Sequence, residues 1–424
     1  MNTKRRPVQG RNSVEKILWA SLWVPGPHGR RGLPWVLEGD PGKAKSAITK
    51  EIAQLANIYF EVVTASIRSP QDFLGMPQLG RMKLTPQNQH LSPDGDDSIG
   101  VCNYAPPGWA LRSAGAKRGL VLFDEGRTCP PTVQAAMLRV FFEGVAGDLP
   151  IPEGVRMWMA TNSMEDSPGG HDIALPLKNR IGLLEYDGPG VSRFKEYLTL
   201  GGGCRISGKL IREVKPVVDP RVEEAEVDAA WGDAWASAAG TIAGFLEANS
   251  SAAHQKPTMA ERAKVWAWPS LRTWDFACAC RAMGYIYDLS ATEIQTATAA
   301  FVGAGAEELF EWERLNDLPN AQDWLDGKIQ FDHDPRRLDR TSALLTSATA
   351  TVVSPTCATR NQRSNRLWKY LLGLPADAID VSMSSVIALC NAKLMLGDPD
   401  AYRVFARLEP FMVAAGITPP EEGS

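Results

Sequence analysis

The stretch Gly39-Asp40-Pro41-Gly42-Lys43-Ala44-Lys45-Ser46 decides the fold that this sequence predicts. It comes directly after an apolar run and directly before a helical pattern, which is the setting of a phosphate-binding loop. Small residues allow successive backbone N–H groups to converge on phosphates, and the positive end of the next helix faces the same anion. Lys45 would then reach the β and γ phosphates of a nucleotide, and Ser46 would offer a hydroxyl ligand to Mg²⁺.

One residue of the loop departs from the general pattern, because Ala44 stands where Gly usually precedes the Lys. We expect Ala44 to adopt an α-conformation, which costs Ala nothing. Taken by itself, the motif is also compatible with a Gly/Pro turn that only caps a helix. The surrounding sequence must therefore decide between the two interpretations.

Around the loop, from residue 35 to about 186, short apolar runs alternate with helical stretches. This rhythm is typical of parallel strands joined by crossover helices. It predicts five strands, at residues 35–37, 59–64, 120–123, 155–160 and 181–184, and covering helices at 44–57 and 131–142. The predicted fold class is α/β, with a three-layer α/β/α core of the P-loop NTPase type and a five-stranded parallel sheet.

Two acidic residues follow the predicted strand at 120–123. Open α/β sheets place their ligands at the carboxyl ends of the strands, where Asp124 and Glu125 would lie. Asp124 would hold Mg²⁺ through its water shell, and Glu125 would polarise the water that attacks the γ-phosphate. A solvated acidic pair is the alternative for this dipeptide in isolation.

Two further polar residues are candidates at the same edge. Asn162 follows the strand predicted at 155–160 and would orient the attacking water, although a lone Asn at a strand end is more often a turn former. Arg180 precedes the last predicted strand. It is either an ordinary surface arginine or an arginine that stabilises charge in a neighbouring subunit.

The composition disfavours two classes of partner. Of the 424 residues, 44% are apolar and 22% are charged, which is typical of a globular chain with two or three units. The formal net charge of -4 and the pI near 5.9 give no overall attraction for nucleic acid or anionic membranes. Neither is the partner that we expect.

The cysteines and the apolar runs predict a cytoplasmic protein. The seven cysteines lack zinc-site spacing, and their odd number argues against a complete disulfide framework. No apolar run reaches the roughly 18 residues that span a bilayer. The basic start and the apolar run at 17–24 imitate a signal peptide, but Glu15 and Lys16 adjoin the run and Pro25 follows it. We expect a helix packed on the sheet domain there instead.

The composition changes at 187–190, and Gly201-Gly202-Gly203 marks a flexible joint. Beyond it, Ala-rich helical patterns predict an all-α remainder with helices at 221–246, 290–316 and 382–394. The expected domains are residues 1–190 for the nucleotide-binding core, 191–310 for a helical lid and 311–424 for a C-terminal helical region.

With these residues assembled, the chain resembles the MoxR-like family of AAA+ ATPases over about its first 190 residues, with further matches downstream. The loop GDPGKAKS has the Ala before Lys that this family usually shows. The stretches LVLFDEGRTCPPTVQAAMLRVFFEG and SIRSPQDFLGMPQL are similar to its acidic-strand region and to the segment after its second strand. Pro176, Leu177, Asn179 and Arg180 match the Pro-Leu-x-Asn-Arg of one subgroup.

The resemblance implies a role for each candidate residue. Lys45 and Ser46 belong to Walker A, and Asp124 and Glu125 to Walker B. Asn162 corresponds to sensor one and Arg180 to the arginine finger. The stretch WPSLRTW is similar to the sensor-two signature, which makes Arg272 the sensor arginine, although Leu271 replaces the usual Pro. Arg127 receives no catalytic role, and Trp266, Trp268 and Trp274 are expected to pack in the core.

The resemblance also implies an assembly and a task. It predicts an ATP- and Mg²⁺-dependent hydrolase with a helical lid over the nucleotide, a ring of about six identical subunits, and remodelling of a client protein. MoxR-like proteins commonly act with von Willebrand factor A domain proteins. The polar stretch at 76–106 corresponds to an insert that projects toward the ring axis, where a solvated loop is the alternative.

Two other functions remain open from the sequence. One is a nucleotide-gated scaffold without useful turnover, against which Glu125 and Asn162 argue. The other is a DNA-acting motor of related build, which the acidic pI disfavours.

Overall fold

The computed structural model describes residues 11–26, 29–92, 96–167, 169–199, 205–206, 209–210, 214–262, 264–317, 319–355, 357, 359–375 and 378–394. The chain divides into two compact units. The sheet unit comprises Pro7–Glu226 and Thr258–Ala267, and the helical unit comprises Val227–Pro257 and the chain from Trp268 onward.

The strands are β1 (Trp35–Glu38), β2 (Tyr59–Thr64), β3 (Met76–Lys83), β4 (Ser98–Ala105), β5 (Gly119–Asp124), β6 (Val145–Ala146), β7 (Leu149–Pro150), β8 (Val155–Thr161), β9 (Gly182–Glu185), β10 (Arg205–Ile206) and β11 (Lys209–Leu210). The helices are α1 (Ser13–Ser21), α2 (Lys45–Leu55), α3 (Gln71–Leu74), α4 (Gly108–Ala116), α5 (Pro131–Glu143), α6 (Leu175–Lys178), α7 (Val191–Thr199), α8 (Pro220–Ala248), α9 (Leu271–Tyr287), α10 (Ala291–Val302), α11 (Ala304–Asn316), α12 (Ala321–Leu325), α13 (Leu338–Val353), α14 (Arg360–Gly373) and α15 (Ile379–Asn391).

The main sheet confirms the predicted fold class. Its five strands are all parallel, in the order β2-β5-β8-β1-β9. Each predicted strand is present with bounds that differ by one residue at most at either end. Because the strands are parallel, the residues that follow β1, β5 and β8 meet at one edge of the sheet.

Helices cover the sheet on both faces. Alternate residues of a strand point to opposite sides, so the apolar residues of each strand pack against helices on both faces. On one face, Val36 and Phe123 belong to an apolar cluster with Met137 of α5 and Trp109 of α4. On the other face, the Trp35 indole donates to the Ser21 hydroxyl of α1 at 2.8 Å. The helix expected near the N-terminus is therefore α1, which lies under the sheet.

Three regions differ from the sequence interpretation. The stretch at 76–106 contains an exposed antiparallel hairpin of β3 and β4, which differs from the solvated loop that was the alternative to a projecting insert. The helix expected at 290–316 is two helices, because Gly303 breaks it at φ 57° and ψ -131°. The short hairpin of β10 and β11 interrupts the expected all-α remainder. The joint expected at 201–203 lies outside the described residues.

The helical unit has its own apolar cores. One joins Trp274 of α9 with Phe245 of α8 and Leu309 of α11. Another joins Trp368 of α14 with Leu345 of α13. The expected core role of the three tryptophans fits their burial, since Trp268 and Trp274 of this unit and Trp266 of the sheet unit are all at most 9% exposed. None of the described helices is both long and apolar enough to cross a membrane.

Candidate functional site

The phosphate loop joins β1 to α2 and has a strained centre. Gly42 has φ 81°, and Ala44, the residue that caps α2, has φ 63° and ψ 27°. The expected right-handed α-conformation of Ala44 is wrong: the residue is left-handed, which costs a non-Gly residue about 1–2 kcal/mol. Gly39 is needed for a different reason, because a Cβ there would lie 2.3 Å from the carbonyl oxygen of Tyr186.

Lys45 is the cation at the centre of the loop. Its side chain is buried, and its Nζ donates to the Gly39 carbonyl at 2.7 Å, to the Asp40 carbonyl at 3.0 Å and to Asn162 Oδ1 at 2.8 Å. Burial lowers the pKa of Lys45, and the nearby Asp124 carboxylate opposes that shift only in part. The loop thus holds a partly desolvated ammonium bound to neutral acceptors.

Ser46 and Asp124 lie against each other across the site. The Ser46 hydroxyl donates to Asp124 Oδ2 at 2.5 Å, and the other carboxylate oxygen accepts the Glu125 backbone N–H at 2.9 Å. Four of the predicted residues therefore form two hydrogen-bonded pairs at the carboxyl edge of the sheet, Lys45 with Asn162 and the adjacent Ser46 with Asp124.

Glu125 lies beside this set in an unusual backbone conformation. The φ angle of Glu125 is 61°, and the residue is exposed. The Ser66 hydroxyl, from the short helical turn after β2, donates to Glu125 Oε2. Ser66 was not among the sequence candidates. A single serine after a strand carries no pattern, and only the pairing of β2 with β5 brings it to Glu125.

Arg180 follows α6 and is half-buried. Its Nη1 donates to the Pro176 carbonyl at 2.9 Å, and its guanidinium lies 4.7 Å from the centre of the Phe142 ring. These contacts lie on α6 and α5. Arg272 belongs to the helical unit, where it is an exposed residue in the first turn of α9.

Arg127 has a structural setting that its sequence does not reveal. It is 7% exposed and binds Glu38 Oε2 through Nη2 at 2.5 Å and Asp172 Oδ1 through Nη1 at 3.3 Å. Asp172 Oδ2 accepts from Lys178 Nζ at 2.9 Å, and both cations lie over the Trp266 ring, at 5.5 and 5.6 Å. We call these five residues the Arg127 cluster.

The described cysteines Cys102, Cys129, Cys278, Cys280, Cys357 and Cys390 are free thiols. In the described part of the chain, no group of three or more His, Cys, Asp and Glu side chains is arranged to hold a metal ion.

Comparisons with known proteins find a likeness among solved structures. No family model matches the chain, and no curated protein matches it. Among solved structures it is similar to a candidate ATPase from Cytophaga hutchinsonii, with 13% identity and a TM-score of 0.42 over 68% of this chain and 80% of that chain.

The parallel sheet and the loop after β1 define the class, an α/β protein with a core of the P-loop NTPase type. The particular family, MoxR-like AAA+, remains a prediction from the sequence.

Proposed function

We propose that this chain is a MoxR-like AAA+ ATPase that hydrolyses ATP in a ring of identical subunits and remodels a client protein. The observation that carries the proposal is the convergence of Lys45, Ser46, Asp124 and Asn162 behind the phosphate loop. A cation, a hydroxyl, a carboxylate and an amide are the groups that binding and cleaving a triphosphate require. The cytoplasm, which supplies ATP, is the expected location.

Binding of ATP exchanges the present partners of Lys45. Two backbone carbonyls and the Asn162 amide oxygen hold the ammonium now, and each is a neutral acceptor. Phosphate oxygens carry charge, so their bonds to Lys45 are stronger than the ones that they replace. The backbone N–H groups at the start of α2 add the positive end of the helix dipole.

Mg²⁺ fits the residues beside the loop. Ser46 Oγ and Asp124 Oδ2 are two oxygen atoms 2.5 Å apart, and Mg²⁺ prefers oxygen ligands from one or two protein groups together with substrate phosphates. When bound, Mg²⁺ would neutralise charge on the phosphates. Ser46 and Asp124 are the residues that would hold it.

Glu125 is the proposed general base. Its carboxylate is exposed, and the Ser66 hydroxyl fixes one oxygen, which leaves the other oxygen to accept a proton from water. Asn162 accepts a hydrogen bond from Lys45. Once the phosphates of ATP have replaced Asn162 as a partner of Lys45, the Asn162 amide would orient that water.

Assembly into a ring, with six as the expected number of subunits, gives Arg180 its proposed role. The guanidinium would stabilise charge on the γ-phosphate held by the neighbouring subunit. Arg272 is proposed as the sensor-two arginine of a helical lid (191–310), with 311–424 as a further helical region; both proposals rest on the sequence resemblance.

The hairpin of β3 and β4 is the proposed client contact. Leu79 is 94% exposed, and Met76, Met82 and Tyr104 on the same hairpin are also exposed. Exposed apolar residues on a projecting element mark a contact surface. The family resemblance alone suggests a von Willebrand factor A domain protein as the client.

Replacement of Glu125 by Gln tests the proposed chemistry. Glu125→Gln should keep ATP affinity, because Lys45 and Ser46 remain, and should lower steady-state phosphate release by about 10²-fold or more, the range for loss of a general base. Glu143→Gln changes an exposed carboxylate at the end of α5 and serves as the matched control with unchanged turnover. Turnover of Glu125→Gln close to that of the wild type would refute the role of Glu125.

A further inference from the structure

The Arg127 cluster touches the phosphate site at one end. Glu38 is the last residue of β1 and directly precedes Gly39 of the phosphate loop. The backbone N–H of Arg127 donates to the Thr161 hydroxyl at 3.1 Å, and Thr161 directly precedes Asn162. Arg127 is thus bound to β1 through its guanidinium and to β8 through its backbone N–H, and these two strands directly precede the loop and the sensor asparagine.

At its other end, the cluster touches the segment that carries Arg180. Lys178 is the last residue of α6, and its ammonium also donates to the carbonyls of Arg262 and Val265 at 3.3 and 3.5 Å. The Trp266 indole N–H donates at 3.1 Å to the carbonyl of Ile181, the residue after Arg180. Contacts therefore fix the chain on both sides of Arg180.

The chemistry of this link depends on a guanidinium. One buried side chain bridges two carboxylates, Glu38 and Asp172, and lies over an aromatic ring. The planar fork of Arg suits such bridging, whereas the ammonium of Lys is a point charge that cannot reproduce it. The charge of Arg127 is costly to desolvate, so stability alone is a weak reason for its burial.

We propose that Arg127 is a positioning residue that, through Asp172, Lys178 and Trp266, holds Arg180 at a fixed place relative to the phosphate loop of the same subunit. The part that concerns catalysis rests on the proposed function, since Arg180 must act on a nucleotide. Arg127 itself touches no reacting atom. The nucleotide site of one subunit would then set the position from which the Arg180 guanidinium of that subunit reaches the next subunit.

Hydrogen exchange in nucleotide-free protein tests the positioning directly and does not depend on hydrolysis. The amides of residues 177–180 are bonded within the turn of α6. In Arg127→Gln they should exchange at least about 10-fold faster, because the link that anchors Lys178 is cut. Asp172→Asn cuts the same link at a half-exposed carboxylate and should have the same effect with less risk to folding. Arg139→Gln, which breaks an exposed pair on α5, is the control and should leave these amides unchanged.

Kinetics then test the link to Arg180. Arg127→Gln should lower kcat by up to about 10²-fold, the cost of a misplaced group, while ATP affinity stays unchanged. Arg127→Lys should recover only part of the loss. Combined with Arg180→Ala, Arg127→Gln should cause no further loss, because both changes remove one function.

The outcomes separate the two proposals. Unchanged exchange at 177–180 in both cluster variants, or faster exchange spread over the whole sheet, would overturn the positioning role. If the kcat losses of Arg127→Gln and Arg180→Ala multiplied in the double variant, the link to Arg180 would be overturned. A wild-type protein without ATP hydrolysis would refute the proposed function, and the exchange result would still decide whether Arg127 positions α6.

Discussion

The left-handed Ala44 makes a quantitative prediction about the phosphate loop. Ala44→Gly removes a methyl group from a residue at φ 63°, where an L-residue costs about 1–2 kcal/mol. Gly also makes the unfolded chain more flexible, which reduces the stabilisation gained by relieving the strain by about 0.4–1 kcal/mol. The variant should therefore stabilise the sheet unit by about 0.5–1 kcal/mol.

The matched control lies three residues further on. Ala47 is exposed in the first turn of α2, where Gly in place of Ala should cost up to about 1 kcal/mol. The two Ala→Gly substitutions should thus change the free energy of unfolding in opposite directions. Because the chain has two units, its unfolding need not be two-state. The free energy should therefore be measured for the sheet unit alone.

Native-state hydrogen exchange of the buried β1 amides gives the free energy of opening of the sheet unit. That free energy should be higher in Ala44→Gly than in the wild type and lower in Ala47→Gly. Equal destabilisation by the two substitutions would refute the left-handed strain at Ala44.

Three further predictions concern catalysis and client contact. Arg180→Ala should lower ATP hydrolysis without weakening ATP binding, and mixing it with inactive Lys45→Ala protein should restore some turnover; no rescue in verified mixed rings would contradict action across subunits. Ser66→Ala should lower kcat by about 3- to 10-fold, since Glu125 loses the hydrogen bond that orients it; equal kcat in both proteins would leave Ser66 without a role. Replacement of residues 81–100 by a short Gly/Ser link should leave basal hydrolysis intact and weaken client engagement, because the hairpin is lost although Met76, Leu79 and Tyr104 remain. Phosphate release and binding of co-purified protein measure the two effects; joint loss of hydrolysis and assembly would make the hairpin structural.

The strands of the main sheet could be predicted because their sequences carry a strong signal. A strand that is buried on both faces reads as a nearly continuous apolar run, as in β5 and, apart from Arg156, along residues 155–160 of β8. The hairpin of β3 and β4 gave no such signal, since both of its faces are exposed and no alternation of apolar residues is required. Helix α4 was missed as well, since no helix was predicted between the insert and β5.

The candidate site was predictable only where its residues adjoin a strand end. Lys45, Asp124 and Asn162 could be placed together because parallel strands bring their carboxyl ends to one edge. The conformation of Ala44 could not be predicted, because the same motif letters are compatible with either hand of the helix region. The partners of Arg127 were also hidden, since Glu38 and Asp172 are distant in sequence and meet it only in the folded sheet unit.

The return of Thr258–Ala267 to the sheet unit bears on how the protein is made. The core of this unit includes Trp266, so a ribosome that has synthesised all five strands has not yet supplied a side chain that the core contains. Domains fold as units during synthesis, in general from the N-terminus. The sheet unit must therefore wait, with part of its apolar surface uncovered, until α8 and the following segment have emerged. A nascent chain halted before residue 258 should resist proteases less well than one halted far enough beyond residue 267 for Trp266 to have left the ribosome.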